Sequence, residues 1–226
     1  MSRAAIFFLV VMTLGLAILL ALSGWATIQS NLLGWFLLIT GSIYFFGVIV
    51  VYWIRGIRFW RPRAKGEMIE EERDDWSFWF IAIGMIAAFY LPPIEYLCFT
   101  VVLPRGVWMQ IAGLLLIFFG SVLFIWARRA LGKFYSGHIS VLEGQQLVQN
   151  GPYRFIRHPA YAGYLLITLG LALGYSSLAG FAAILFVLLP SVIYRIRVED
   201  KLLAEHFGAP FKDYARTTNR LIPGVW

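Results

Sequence analysis

Residues Ala160–Tyr194 run for 35 positions without a charged side chain. A single helix of that length would measure roughly 52 Å at 1.5 Å per residue, well beyond the hydrocarbon core of a bilayer. The stretch has to fold back on itself, and Gly174-Tyr175-Ser176-Ser177 supplies turn residues near its middle. It reads as a tight helical hairpin that crosses a membrane twice. Four other uncharged runs accompany it. Ala4–Leu22 covers 19 residues, or roughly 28 Å of helix, enough for one crossing. Asn31–Ile54 is a second run, Trp76–Leu91 a shorter third that ends at Pro92-Pro93, and Gly106–Ala127 a fourth. Together with the hairpin they give about six spans, and the fold class expected is an all-α polytopic membrane helical bundle. Composition agrees: the chain is 60% hydrophobic and 14% charged, with a mean hydropathy of +0.75, whereas soluble domains carry about 25% charged residues.

The N-terminal run is longer than the apolar core of a usual signal peptide and is read as a retained span. Cys98 is the single cysteine. It excludes an intramolecular disulfide and a cysteine-based metal site, and is expected to be a small apolar filler.

Orientation follows from the basic residues. With six spans and both termini on one side, the opposite loops fall near 23–30, 92–105 and 174–178. Of the 19 Lys and Arg residues only Arg105 lies there. The chain is therefore expected to be a multi-pass integral membrane protein with both termini and its active site on the cytoplasmic side. Its net charge of +7 describes a face that favours anionic headgroups, so membrane lipids are the expected partners and nucleic acid is not.

Two regions are expected along the chain. Residues 1–105 hold the N-terminal spans, with a charged cytoplasmic loop at 55–75. In that loop Arg55, Arg58, Arg61, Arg63 and Lys65 precede Glu67, Glu70, Glu71, Glu72, Asp74 and Asp75, which reads as a solvated amphipathic link lying on the headgroups. Residues 106–226 hold a span, a polar connector at 132–157, the hairpin, and a charged tail at 195–226. The tail's apolar rhythm (Leu202, Leu203, Phe207, Phe211, Tyr214) predicts a helix broken at Gly208 and Pro210.

The densest polar cluster is Gly151-Pro152-Tyr153-Arg154-Phe155-Ile156-Arg157-His158-Pro159-Ala160-Tyr161-Ala162-Gly163, set between two apolar segments. Ionisable groups at a membrane boundary are costly, so such a cluster marks a site. Pro159 disfavours a helical His158 and suits a first helical turn, so the hairpin helix is expected to start at Pro159. The backbone N–H groups near Ala160 and Tyr161 would then point at the connector and favour an anion. Tyr161 reads equally as an interface anchor, and Gly163 as a point of close helix approach. His158 alone reads either as a hydrogen-bonded structural residue or as a catalyst. Further along, Arg195 and Glu199 are i and i+4, so on a helix they share a face. That pair reads as an ordinary salt bridge or as a site for a zwitterion or two ligands of opposite charge. No Walker loop, GxGxxG, HExxH or Gly-x-Ser-x-Gly motif is present, which weighs against soluble nucleotide-binding folds, zinc peptidases and serine hydrolases.

The pattern Gly151-Pro152-Tyr153 … Arg157-His158-Pro159-x-Tyr161-x-Gly163, then Arg195-x-x-x-Glu199-Asp200 … Phe207-Gly208 … Tyr214 … Arg220-x-x-Pro223, resembles the isoprenylcysteine carboxyl methyltransferase family. The related membrane phospholipid methyltransferases share its Arg-His-Pro core. The resemblance covers roughly residues 106–226. It implies a membrane methyltransferase using S-adenosylmethionine, with a cofactor pocket closed by the connector and tail and a lipid-like acceptor entering from the bilayer. Carried over by position, it implies that Gln145, Gln146, Leu147, Val148, Tyr153, His158, Pro159, Ala160, Tyr161 and Glu199 bind the cofactor, with His138 near a further contact. It also implies that Arg195 meets the acceptor. The family often has a run of glutamates where this chain has Val198-Glu199-Asp200, which leaves the role of Asp200 open.

The chemistry suits that assignment. A pocket for S-adenosylmethionine needs an acid, backbone donors, amides and aromatic or apolar walls. A carboxylate acceptor is already ionised at pH 7 and needs no general base, so catalysis rests on positioning and exclusion of water. Arg195 and Arg157 are the candidate catalytic residues, holding one acceptor oxygen and leaving the other in line. No metal ligand is expected. The alternatives on the same sequence are a phospholipid or small-molecule methyltransferase, an NADPH-dependent membrane reductase, and a transporter that uses the pocket only to bind.

Overall fold

The computed structural model describes residues 3–55, 68–71, 75–99, 103–135 and 139–226. His138 lies outside the described residues, as do Arg58, Arg61, Arg63, Lys65, Glu67, Glu72 and Asp74 of the charged loop.

The described chain is built on helices: α1 (Arg3–Thr27), α2 (Leu33–Arg55), α3 (Asp75–Cys98), α4 (Val107–Leu131), α5 (Pro159–Gly174), α6 (Leu178–Ala183), α7 (Leu189–Phe207) and α8 (Ala209–Thr217). A π-turn over Ile184–Leu188 joins α6 to α7, so Leu178–Phe207 runs as one helix. Pro190 has no N–H to offer the preceding turn, which accounts for the local widening. Three described helices are long and apolar enough to cross a membrane: Trp79–Cys98, Val107–Leu131 and Leu178–Phe207. Leu14–Thr27, Leu33–Ile43 and Pro159–Gly174 are shorter apolar helices.

Glycine decides the tightest contact. On α4 and α5 the backbones meet with no room for side chains. A Cβ on Gly113 would sit 2.5 Å from the Gly170 carbonyl oxygen, and one on Gly163 2.8 Å from that of Gly120. Where helices lie in hydrocarbon, such close packing supplies the dispersion that a hydrophobic driving force cannot. Two apolar cores fill the bundle. One joins Ala88 of α3 to Ala172, Leu188, Val192, Ile196 and Leu221. The other joins Leu33 and Leu37 of α2 to Ile117, Leu171 and Tyr175. Both draw side chains from either side of residue 105.

The hairpin turns where its sequence predicts. Gly174 ends α5, Ser176 takes a positive φ of 52°, and Ser177 caps α6 by accepting from the Gly180 N–H at 2.8 Å. Three features depart from the sequence reading. The helix expected to stop at Leu91 continues to Cys98, with Pro92 and Pro93 inside it and fully buried. The Pro92 ring lies against Gly180 of α6, and this packing offsets the backbone hydrogen bonds that the two prolines cannot make. Cys98 is exposed at the end of that helix rather than filling a core. Part of the charged loop forms a strand. β1 (Met68–Glu71) pairs antiparallel with β2 (Ser140–Leu142), matching Glu70 with Val141 and Glu71 with Ser140. β2 has the anchoring side chains: Val141 and Ile139 pack with Leu202 of α7.

Exposed tryptophans sit at both ends of α4, Trp108 and Trp126. They are roughly 27 Å apart along the helix axis, close to a hydrocarbon thickness. Trp25 and Trp35 are exposed near the Trp108 end, and Trp79 is exposed at the start of α3. Such aromatic belts mark the two membrane–water interfaces.

Candidate functional site

Local sequence places the polar cluster at the start of α5. His158 has a non-helical backbone (φ −123°, ψ 58°), and Pro159 opens the helix with no side-chain cap. The segment before it pairs with the tail: Arg157 N–H donates to the Asn219 carbonyl at 2.8 Å and His158 N–H to that of Arg220 at 3.0 Å. The Tyr214 hydroxyl donates to the Tyr153 carbonyl at 2.6 Å. Burial is the main force raising both phenols. Tyr214 is pushed up to about 12, and Tyr153, raised further by nearby Glu199, also stays protonated. The connector, the start of α5 and the tail are thereby stitched together.

The charged groups inside this assembly form two sets, joined at the His158 ring, whose Nδ1 lies 3.8 Å from Glu199 Oε2. Asp200 is the hub of the first. Its Oδ1 lies 2.8 Å from His158 Nε2, and its Oδ2 accepts from Arg220 Nε at 2.7 Å and faces Arg157 at 3.5 Å. Arg157 also donates to the Ala215 carbonyl at 2.9 Å and to the Thr218 carbonyl. Arg157, His158 and Asp200 are all buried. With Asp200 as the acceptor, the proton sits on His158 Nε2.

The second set is a relay. Arg195 Nε donates to the Tyr161 hydroxyl at 2.9 Å, and that hydroxyl donates to Glu199 Oε2 at 2.9 Å. The i, i+4 pair is thus bridged by a phenol. Arg195 is 5% exposed, whereas the Glu199 side chain is 32% exposed. Both side chains line one hollow.

That hollow is a cavity of about 1070 Å³. Its lining includes Gln145, Gln146, Leu147, Val148, Tyr153, Arg157, His158, Ala160, Tyr161, Arg195 and Glu199. These candidate residues, dispersed over more than fifty positions of sequence, meet around one space. Pro159 is buried and does not line it, and serves instead to start α5. Gln145 closes a turn, its Oε1 accepting from Leu142 N–H at 2.9 Å. Arg157, expected beside Arg195 at the acceptor, turns Nη1 to the carbonyls at the end of α8 and Nη2 to Asp200, while its buried Nε has no hydrogen-bond partner among the described residues.

Sequence reasoning missed part of the lining. Tyr164 lies one turn beyond Tyr161, its ring 4.7 Å from Phe124 and its hydroxyl 3.1 Å from that of Tyr135. The i, i+3 spacing of Tyr161 and Tyr164 was the available signal. Leu16, Phe36, Met85 and Phe89 of α1–α3 also line the cavity, and nothing in their pattern separates them from lipid-facing neighbours. Among the described residues no three His, Cys, Asp or Glu side chains gather as a metal site.

Comparison with known proteins converges on this region. Residues 108–210 match the phospholipid methyltransferase family model. Protein-S-isoprenylcysteine O-methyltransferase A of Arabidopsis thaliana is 27% identical over 143 residues, covering 61% of this chain and 73% of the relative. The uncharacterized protein YpbQ of Bacillus subtilis is 34% identical over 105 residues, covering 46% of this chain and 60% of the relative. The cobalt-zinc-cadmium resistance protein CzcN of Cupriavidus metallidurans is 43% identical over 89 residues, covering 38% of this chain and 39% of the relative. The matched segment contains α4, the connector, the hairpin and α7, which are the elements that carry the charged site. They define the class of integral membrane methyltransferases. Within that class the chain is similar to protein-S-isoprenylcysteine O-methyltransferases, while the phospholipid methyltransferase model matches just under half of it.

Proposed function

We propose that this protein transfers a methyl group from S-adenosylmethionine to a carboxylate of a lipid-like, isoprenylcysteine-type acceptor. The observation that carries the reading is the Arg195–Tyr161–Glu199 relay on the wall of a cavity at the upper end of the size range for ligand pockets. Pockets for a drug-sized ligand hold about 300–1,000 Å³, and a cavity of about 1070 Å³ accommodates a cofactor together with the head of an acceptor.

The residues fit the cofactor. Glu199 presents a carboxylate about one-third exposed for its ammonium or ribose hydroxyls. The uncapped start of α5, at Ala160 and Tyr161, suits its carboxylate. Tyr153, Leu147 and Val148 offer aromatic and apolar wall, and Gln145 and Gln146 offer amides. When bound, the cofactor supplies an electrophilic methyl on a sulfonium. Transfer to a carboxylate oxygen would make a C–O bond at the expense of the C–S bond, with the electron pair kept by sulfur and no proton moved. Arg195 orients one carboxylate oxygen and the other is left to attack. Tyr161 holds the guanidinium away from direct pairing with Glu199, so that the cation serves the acceptor. Asp200, with His158, Arg157 and Arg220, fixes the start of α5 and the tail around the reacting groups, which makes Arg157 a positioning residue. A protonated amine would be repelled by the buried guanidinium, which favours a carboxylate over an amine headgroup.

In this reading all six apolar segments cross the bilayer and the segment 106–226 is the methyltransferase core. The Trp126 end of α4, followed by Arg128 and Arg129, faces the cytoplasm with both termini and the site.

The test is methyl transfer from S-[methyl-³H]adenosylmethionine to N-acetyl-S-farnesylcysteine by the purified, detergent-solubilised protein. The expected product releases volatile methanol on treatment with base, as a methyl ester does. Base-stable label on an aminophospholipid instead would assign an amine acceptor and overturn the carboxylate reading.

A further inference from the structure

The cavity lining is unbalanced in charge. Glu199 is the one carboxylate among its described residues, while Arg128, Arg157 and Arg195 all belong to it. Arg157 is paired with Asp200, and Arg195 is linked to Glu199 through Tyr161. Arg128 has no such partner. Its guanidinium carbon lies 5.1 Å from the centroid of the Tyr135 ring, and no carboxylate pairs with it among the described residues. An aromatic face attracts a cation without neutralising it.

Arg128 is placed on the cavity by its helix. Ser121, Phe124, Ile125 and Arg128 of α4 all line the hollow, at the i, i+3, i+4 and i+7 spacing of one helix face. Arg129, the next residue, is also exposed but does not line it. Hydrogen bonds relate Arg128 to Arg195. The Tyr135 hydroxyl lies 3.1 Å from that of Tyr164. Tyr164 is one turn along α5 from Tyr161, whose hydroxyl accepts from Arg195 Nε at 2.9 Å. Residues three apart on a helix are roughly 5–6 Å apart at Cβ, so with the Tyr135 ring between them the two cations are separated by a distance on the order of 10 Å. S-adenosylmethionine, with a sulfonium, an ammonium and a carboxylate, adds a further positive charge. A monocarboxylate acceptor answers Arg195 and leaves Arg128 unmatched.

We infer that Arg128 is a second oxyanion-binding residue of the acceptor site. The preferred acceptor then carries a further carboxylate or phosphate on its head, on the order of 10 Å from the carboxylate that Arg195 holds. This rests on the function proposed above and names the acceptor class that function leaves open. Because Arg128 is exposed, the contact has the strength of a surface ion pair, about fivefold in affinity at most, and weakens with salt.

The experiment is calorimetric titration with two amphiphiles of matched length. N-adipoyl-S-farnesylcysteine ends its acyl chain in a carboxylate, and N-hexanoyl-S-farnesylcysteine ends it in a methyl group. Each is titrated at low salt, in uncharged detergent with and without phosphatidylglycerol, into wild type, Arg128→Gln, Arg128→Lys and Arg129→Gln. S-adenosylhomocysteine titrated into each protein reports that the cofactor side is folded. Wild type is expected to prefer the adipoyl compound about fivefold and to lose the preference at high salt. Arg128→Gln should erase it, Arg128→Lys keep most of it and Arg129→Gln leave it whole, with S-adenosylhomocysteine affinity alike in all four. Equal affinities for the two compounds in wild type, or the same loss in Arg128→Gln and Arg129→Gln, overturn the inference. A fall in S-adenosylhomocysteine affinity confined to Arg128→Gln also overturns it, by giving Arg128 to the cofactor. Erasure of the preference by phosphatidylglycerol does so by giving Arg128 to a lipid headgroup. The preference without methyl transfer to either compound overturns the methyltransferase reading and leaves the second oxyanion contact standing; methyl transfer without the preference does the reverse.

Discussion

At the end of the bundle that holds the hairpin turn, Glu95, Ser177 and the start of α6 lie together. At the other end, Glu199, Tyr161 and the start of α5 do. Each set comprises a carboxylate, a hydroxyl and a helix N-terminus, yet the outcomes are opposite. Glu95 Oε2 accepts from Ser177 Oγ at 2.5 Å and from the Ala179 N–H at 2.9 Å. Around it Asn31 reaches the Gly174 carbonyl at 3.0 Å, and Ser176 reaches that of Pro104 at 2.7 Å. Here the polar groups bond to one another and tie loops shut. At the site end the α5 N-terminus has no side-chain cap, and Glu199 is reached from Arg195 only through a phenol. The difference teaches where to look for ligands. A carboxylate satisfied by its own fold is a staple, and one held at a distance from its cation beside a cavity is a binding group. Asp200 and Glu199, adjacent in sequence, show the same contrast within a single helix turn.

Four substitutions sharpen or break this comparison. Asp200→Asn removes the charge that compensates Arg157, Arg220 and the His158 ring. Breaking a buried ionic hub costs about 3–5 kcal/mol, so a clear fall in the unfolding midpoint is expected in detergent. An unchanged midpoint would show that Asp200 is not a staple. Arg195→Ala should lower methyl transfer by at least ~100-fold, the scale of losing a positioned charge contact in the transition state. S-adenosylhomocysteine affinity should stay within a few-fold, and a parallel loss of that affinity would move Arg195 to the cofactor. Tyr161→Phe deletes both bonds of the relay. The freed pair closes on itself, and kcat/KM is expected to drop about tenfold, near the net worth of one charge-assisted hydrogen bond. Glu95→Gln, at the stapled end, should cost about 1 kcal/mol of stability and leave kcat/KM as it was.

Local rules made much of the fold legible. Pro159 marked the start of α5, Gly174 through Ser177 the hairpin turn, and Gly208 with Pro210 the break before α8, because each acts through its own backbone. The convergence of Tyr153, His158, Tyr161, Arg195 and Glu199 was legible only through the resemblance, since no single spacing joins the connector to α7. Other features were beyond local reading. Asp200 owes its role to Arg220 and His158, which reach it across the fold. The prolines of α3 are tolerated because α6 packs on them, and β1 exists because β2 lies beside it. The cavity lining supplied by α1–α3 was hidden for another reason. In helices that are hydrophobic on every side, a cavity-facing leucine and a lipid-facing one look alike, so periodicity carries no signal.

The most direct test of the central claim is titration of the detergent-solubilised protein with S-adenosylhomocysteine, beside Glu199→Ala and Glu95→Gln. The account predicts saturable binding at one site, weakened at least tenfold by Glu199→Ala and untouched by Glu95→Gln. Equal affinity in all three proteins, or no binding by a folded wild type, would contradict the assignment of Glu199 to the cofactor.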